Sequence, residues 1–148
     1  MNHTPDRRAT LGLLARSPAR LLAERFAQLQ PLPAWHWLRR PETGTLMMRA
    51  RIGGDGAQFN LGEATLTRCT LRLDDGTVGV GTVRGRNPQQ AEQIALCDAL
   101  LQHPAYAEQV QTDIIAVLAQ AESERRARRA AEIAASKVDF FTLVRGED

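Results

Sequence analysis

Apolar and polar positions change period twice along this chain. Leu11 and Leu14, then Leu22, Phe26 and Leu29, recur at helical spacing. Each set follows a pair, Thr4-Pro5 and Ser17-Pro18, in which a capping hydroxyl precedes proline at a first helical position. The pattern predicts an opening helix in two pieces, stopped by Pro31 and Pro33. From Ala34 to Arg86 the period falls to two. Trp35 and Trp37 flank His36, and Arg39 to Pro41 interrupts the alternation. Thr45 to Ile52 then sets Leu46, Met48, Ala50 and Ile52 against Met47, Arg49 and Arg51, the signature of a half-buried strand with one apolar and one basic face. Gly53-Gly54-Asp55-Gly56 reads as a turn, Ala57 to Leu61 and Ala64 to Leu73 as strands, and Asp74-Asp75-Gly76 as a tight hairpin closed by Thr77 to Arg84. An antiparallel meander of four or five strands is expected.

Asn87-Pro88 is a third cap-plus-proline start, followed by the stripe Ala91, Ile94, Cys97 and Leu101. His103-Pro104 breaks that helix, and Val110, Ile114, Val117, Leu118 and Ala121 resume it. From Glu122 to Ser136 the chain is alanine, arginine and glutamate, with Ile133 its one large apolar residue. Glu122 with Arg126 and Glu124 with Arg128 stand in the favourable i,i+4 order. A helix polar on nearly all sides projects from a body or bridges to another one. The tail is apolar again at Val138, Phe140, Phe141, Leu143 and Val144, and it holds two of the chain's four Phe. The fold class is therefore α+β: N-terminal helices, an antiparallel meander, long C-terminal helices and an apolar tail. We expect one domain over 1–148, with 122–148 as a partner-docking helix and tail.

Composition narrows the class. At 148 residues, 43% apolar and 24% charged, the chain is globular, and no run approaches the roughly 20 apolar residues of a membrane span. With no secretory leader and two cysteines that fit neither zinc spacing nor a disulfide framework, a cytoplasmic setting is expected. The net charge of +2 is uneven: residues 1–38 and 39–86 each carry +3, and residues 87–148 carry −4. Eighteen of the nineteen basic residues are Arg, whose planar fork suits carboxylate or phosphate partners.

No constellation for catalysis emerges. His3, His36 and His103 are scattered, so no metal site is expected. Ser17, Ser123 and Ser136 sit in no nucleophile elbow, and Cys69 and Cys97 fall on apolar faces and read as core. The glycine run from Gly53 matches no phosphate-loop or dinucleotide pattern, and Gly79, Gly81 and Gly85 suggest close backbone approach. No cofactor is expected in this chain. Arg68, Arg72, Arg84 and Arg86 are the candidate anion-binding set, since a hairpin would gather Arg68, Arg72 and Arg84, with a solvated face as the alternative. The Arg125-Arg126 and Arg128-Arg129 run has acidic flanks and no stacking platform, which argues against nucleic acid.

Several motifs together resemble the G subunit of the bacterial carbon–phosphorus lyase core complex. They are Glu42-Thr43-Gly44, Arg51-Ile52-Gly53-Gly54-Asp55-Gly56 with Phe59, Gly62-Glu63-Ala64-Thr65-Leu66-Thr67-Arg68, Arg72-Leu73 with Asp75-Gly76-Thr77, Gly85-Arg86, Ala91-Glu92 and Asp98-Ala99-Leu100. The tail from Ser136 to Gly146 carries the resemblance furthest, and the first forty residues share only helical character. The resemblance implies a subunit acting with H, I, J and L companions on organophosphonates. In that family the G, H, I and L proteins are required to transfer the ribose 5-triphosphate moiety of ATP to methylphosphonate, displacing adenine; base displacement is credited to I, and J later cleaves the carbon–phosphorus bond. No catalytic residue is carried over to this chain. The tail at Val138, Phe140, Phe141, Leu143 and Val144 becomes a candidate docking segment, with I the companion most directly met. The alternative is a free-standing regulatory or anion- or nucleic-acid-binding domain.

Overall fold

The computed structural model describes residues 6–143, with side chains through Ser136. Two short helices, α1 (Arg7–Arg16) and α2 (Ala19–Phe26), open the chain. Asp6 caps α1 by accepting from the Arg8 N–H at 3.1 Å, so the helix begins just past the expected Thr4-Pro5 pair, which lies outside the described residues. Ser17 does not cap α2. Its hydroxyl turns back to donate to the Leu13 carbonyl at 2.7 Å, closing α1, and Pro18 takes the position before α2 with no side-chain cap.

The sheet among the described residues has three strands, not four or five: β1 (Trp35–Arg51), β2 (Gln58–Leu73) and β3 (Val78–Arg84), antiparallel in that order. Two expected breaks are absorbed within strands. Pro41 lies in β1, an edge strand, where a missing N–H need not cost a ladder bond, and the register shifts twice, between Trp37 and Arg39 and again between Arg39 and Glu42 across the proline. Leu61 is one residue extra between the Met48–Gly62 and Arg49–Asn60 pairs, a bulge that lets β2 run on through Gly62.

One face of the sheet carries the core. Cys69, Leu71, Leu73 and Val83 point into it, and Trp35 and Trp37, paired edge to face at 4.7 Å, pack at its margin. Over this face lies α3 (Pro88–Leu101), begun as expected by Asn87, whose side chain accepts from the Gln90 N–H at 3.0 Å, with Pro88 in the first turn. Gly79 and Gly81 meet Ala91, Ala95 and Ala99 across the seam, and a methyl on either glycine would strike an α3 carbonyl oxygen. The expected close approach is thus present at Gly79 and Gly81. Gly85 instead adopts the left-handed conformation, φ +85°, in open space.

Buried Thr67 ties β2 to the start of α3. Its hydroxyl donates to the Gly85 carbonyl at 2.6 Å and accepts from the Asn87 N–H at 3.1 Å. After α3, α4 (Ala107–Val110) passes through a π-helical stretch, Gln111–Ile115, into α5 (Ala116–Leu143). Ile114, Ile115 and Leu118 enter the core; from Ser123 to Ser136 every residue is exposed.

Candidate interaction surfaces

The sheet face turned away from the core holds most of the anion-binding candidates. Arg68 pairs in register with Thr82, Arg84 with Leu66 and Arg72 with both His36 and Val78, so alternation places the three arginines on one exposed face, with Arg84 diagonal to Arg68. Arg86 follows in the turn to α3. The cluster is partly neutralised from β1: Arg68 donates to Glu42 at 3.0 Å, and Arg39 approaches the same oxygen at 3.4 Å. Arg72 and Arg84 form no ion pair among the described residues.

Beyond Leu66, β2 has no β3 partner, and β1 and β2 continue as a two-stranded arm capped by the Gly53 turn. The expectation of a half-buried strand fails here. Leu46 is 56% exposed, Phe59 41% and Leu61 59%, and Ile52 lies in the turn. The alternation is present, but none of the described helices lies over the face it builds.

On the opposite side, α5 leaves the body beside the α1–α2 corner. Arg16 donates to Glu122 at 3.0 Å and Arg126 donates to the same oxygen at 3.0 Å, so the expected Glu122–Arg126 pair forms and also ties α5 to α1. These cations hold the Glu122 carboxyl below its ordinary value, the Arg16 bond contributing most. Glu124 instead accepts from Gln120 at 2.9 Å, displacing the expected pairing with Arg128. Ser17 and Pro18 with Arg125, Arg128 and Arg129 line a groove of about 540 Å³. The docking candidates Val138, Phe140, Phe141 and Leu143 fall on the backbone of α5 beyond the described side chains, and Val144 lies outside the described residues.

The chemistry-bearing side chains are otherwise engaged in structure. Burial pushes the Cys69 thiol up to about 11 and the Cys97 thiol up to about 12. His103 packs on Tyr106 and accepts the Ala105 N–H at 3.2 Å, with Asp75 3.4 Å away. Sequence reasoning missed Asp98. It is buried in the last turn of α3, accepts from both Nε and one terminal nitrogen of Arg7 at 2.8 Å, and takes the Val80 N–H at 2.9 Å. The signal was available: a carboxylate in the middle of an apolar stripe requires a partner. Beside it Arg7, Thr10, Leu14, Asp98 and Gln111 border a cavity of about 200 Å³, where the Gln111 Oε1 is buried without a hydrogen bond. Among the described residues no three metal-ligating side chains converge, and no helix is long and apolar enough to cross a membrane.

Comparison with known proteins adds what the geometry does not carry. The family described as phosphonate metabolism protein PhnG matches residues 5–146. A relative from Rhizobium meliloti (strain 1021), named alpha-D-ribose 1-methylphosphonate 5-triphosphate synthase subunit PhnG, is 44% identical over 143 residues, covering 97% of this chain and 91% of the relative.

Proposed function

The chain belongs to the PhnG family of phosphonate metabolism proteins, and from that membership we infer its function: it is the PhnG subunit of a ribose 1-methylphosphonate 5-triphosphate synthase. The observation that carries this is the identity to a named synthase subunit along almost the whole of both chains. The reaction moves the ribose 5-triphosphate moiety of ATP onto methylphosphonate: the bond from ribose C1′ to adenine breaks and a bond from C1′ to a phosphonate oxygen forms. We assign this chain a supporting role in that transfer, with H, I, J and L proteins as companions and I as its direct contact. The engagement of its thiols and of Asp98 in packing supports that assignment.

In this reading α5 from Glu122 and the segment Val138–Val144 form the docking element. What supports it is the exposed, mixed-charge surface of α5 together with the apolar composition of the last residues. The test compares native mass for the chain alone and co-expressed with the H, I and J proteins, then repeats it after truncation at Ser136. A large particle with the full chain and loss of assembly on truncation is expected. A full chain that remains a monomer beside its companions would overturn the assignment; a truncated chain that assembles at full strength would overturn the role of the tail.

A second reading rests on Arg72 and Arg84, which have no acidic partner among the described residues: with Arg68 and Arg86 they contact a phosphate or phosphonate group at a subunit junction. Charge reversal at Arg72 and Arg84 then lowers turnover of the assembled complex without changing its mass, and unchanged turnover removes this reading.

A further inference from the structure

The described residues hold eight large apolar side chains that stand exposed, and five of them, Leu46, Met47, Ile52, Phe59 and Leu61, fall between positions 46 and 61, on the two-stranded arm and its turn. The arm has two unlike faces. Leu46, Met48 and Ala50 alternate along one of them, with Phe59 paired opposite Ala50 and Ala64 opposite Leu46. Arg49 and Arg51 lie on the other, facing Asn60 and Gln58.

We propose that this arm is a docking element gripped by a neighbouring protein subunit of the synthase, one that offers an apolar wall to Leu46, Met48 and Phe59 and carboxylates to Arg49 and Arg51. The proposal rests on the assignment of the chain as a synthase subunit, and it concerns a different surface from α5. Three observations point to this occupant. A two-stranded ribbon is marginally stable in water by itself, and this one extends roughly 20 Å with neither a third strand nor a helix against it among the described residues. Leu46, Met48 and Phe59 share one face as a patch, the mark of an interaction surface, while Met47 lies on the arginine face and scattered exposed residues need no explanation. Its charge selects the partner: Arg49 and Arg51 share one face of the arm and form no ion pair among the described residues, so their complement is an acidic surface.

A second copy of this chain fits less well. Both edges of the arm are open; on the β1 edge, an antiparallel two-fold pairing about Ala50 sets Arg49 of one copy opposite Arg51 of the other. Like charges directly opposed across strands are destabilising.

The test uses the full chain co-expressed with the other synthase subunits, in wild-type form and as Leu46→Ser/Phe59→Ser and Arg49→Glu/Arg51→Glu pairs. Both pairs alter exposed positions, so the isolated chain keeps its circular dichroism and melting temperature. Each is expected to weaken assembly about tenfold or more, in line with loss of central interface anchors. Should the serine pair lower the melting temperature, the glutamate pair, which leaves the apolar face intact, carries the test alone. Wild-type affinity in the folded variants overturns the proposal, as does a dimer of the isolated chain that the serine pair dissolves, since the arm would then serve self-association. If the wild-type chain itself fails to assemble, it is the subunit assignment that falls.

Discussion

Asp98 and Arg7, ninety-one positions apart, form a two-pronged ion pair, both bonds at 2.8 Å, and the carboxylate spends its remaining capacity on the Val80 N–H of β3. One side chain of α3 thereby fastens α1 to the sheet. The carboxylate is 3% exposed and the guanidinium 53%, so the pair is screened on one side only.

Replacing Asp98 by Ala strands the Val80 N–H in the interior and frees Arg7 to solvent. Breaking a fully buried pair costs about 3–5 kcal/mol. With Arg7 half in water we expect about 2–3 kcal/mol, seen as a lower urea midpoint at unchanged slope. Asp98→Asn, which keeps an acceptor for Val80, should lose about half as much. A midpoint within about 0.5 kcal/mol of wild type for the alanine variant would show that the fastening carries no stability.

The seam between β3 and α3 leaves no space for a side chain at Gly81. Gly81→Ala drives a methyl into the Ala91 carbonyl and is expected to cost about 3 kcal/mol or more, because neither backbone can yield without shifting the sheet. Gly44→Ala is the contrast. Nothing lies within 4 Å of that position, and it should leave stability unchanged or raise it by up to about 1 kcal/mol. Thermal melts of the two variants side by side decide the matter; equal losses would mean that the seam is not the cause.

With folded-state values of about 11 and about 12, Cys69 and Cys97 are thiols at pH 8, the thiolate of Cys69 amounting to about one molecule in a thousand. Both shifts are upward and due first to burial, so reactivity rises with pH and with unfolding. The native chain should leave a disulfide reagent such as Ellman's unconsumed over minutes at pH 8, and two equivalents should react in denaturant. A rapid equivalent from the native protein would contradict the packing of these residues.

Local signals were legible in the sequence. Asn87-Pro88 capped the helix it announced, the cysteines lay in the core, and Glu122 met Arg126, because each depends on neighbours a few residues away. What depended on distant partners was read less well. Arg39 to Pro41 reads as an interruption, yet an edge position tolerates the proline, and edge status is a property of the whole sheet. The alternation from Leu46 to Ala50 correctly indicated a two-faced strand; the same alternation cannot state whether its apolar face has a cover within the chain. Asp98 acquired meaning only once α1 was laid across α3. Ser17 reversed its role because its hydroxyl found the Leu13 carbonyl before any N–H of α2.

The contacts on β3 make the sheet directional. Asp98 occupies the outward N–H of Val80, and the Gln102 amide donates to the Val78 carbonyl at 3.0 Å, so α3 plugs two of the ladder positions through which another strand would bond. Among the described residues the far edge, β1, has no such plug, although Pro41 and the register shifts beside it interrupt its row of donors. Over its three-stranded part, growth of this sheet by strand addition, whether in assembly or in misassociation, is therefore a one-sided process that begins at β1.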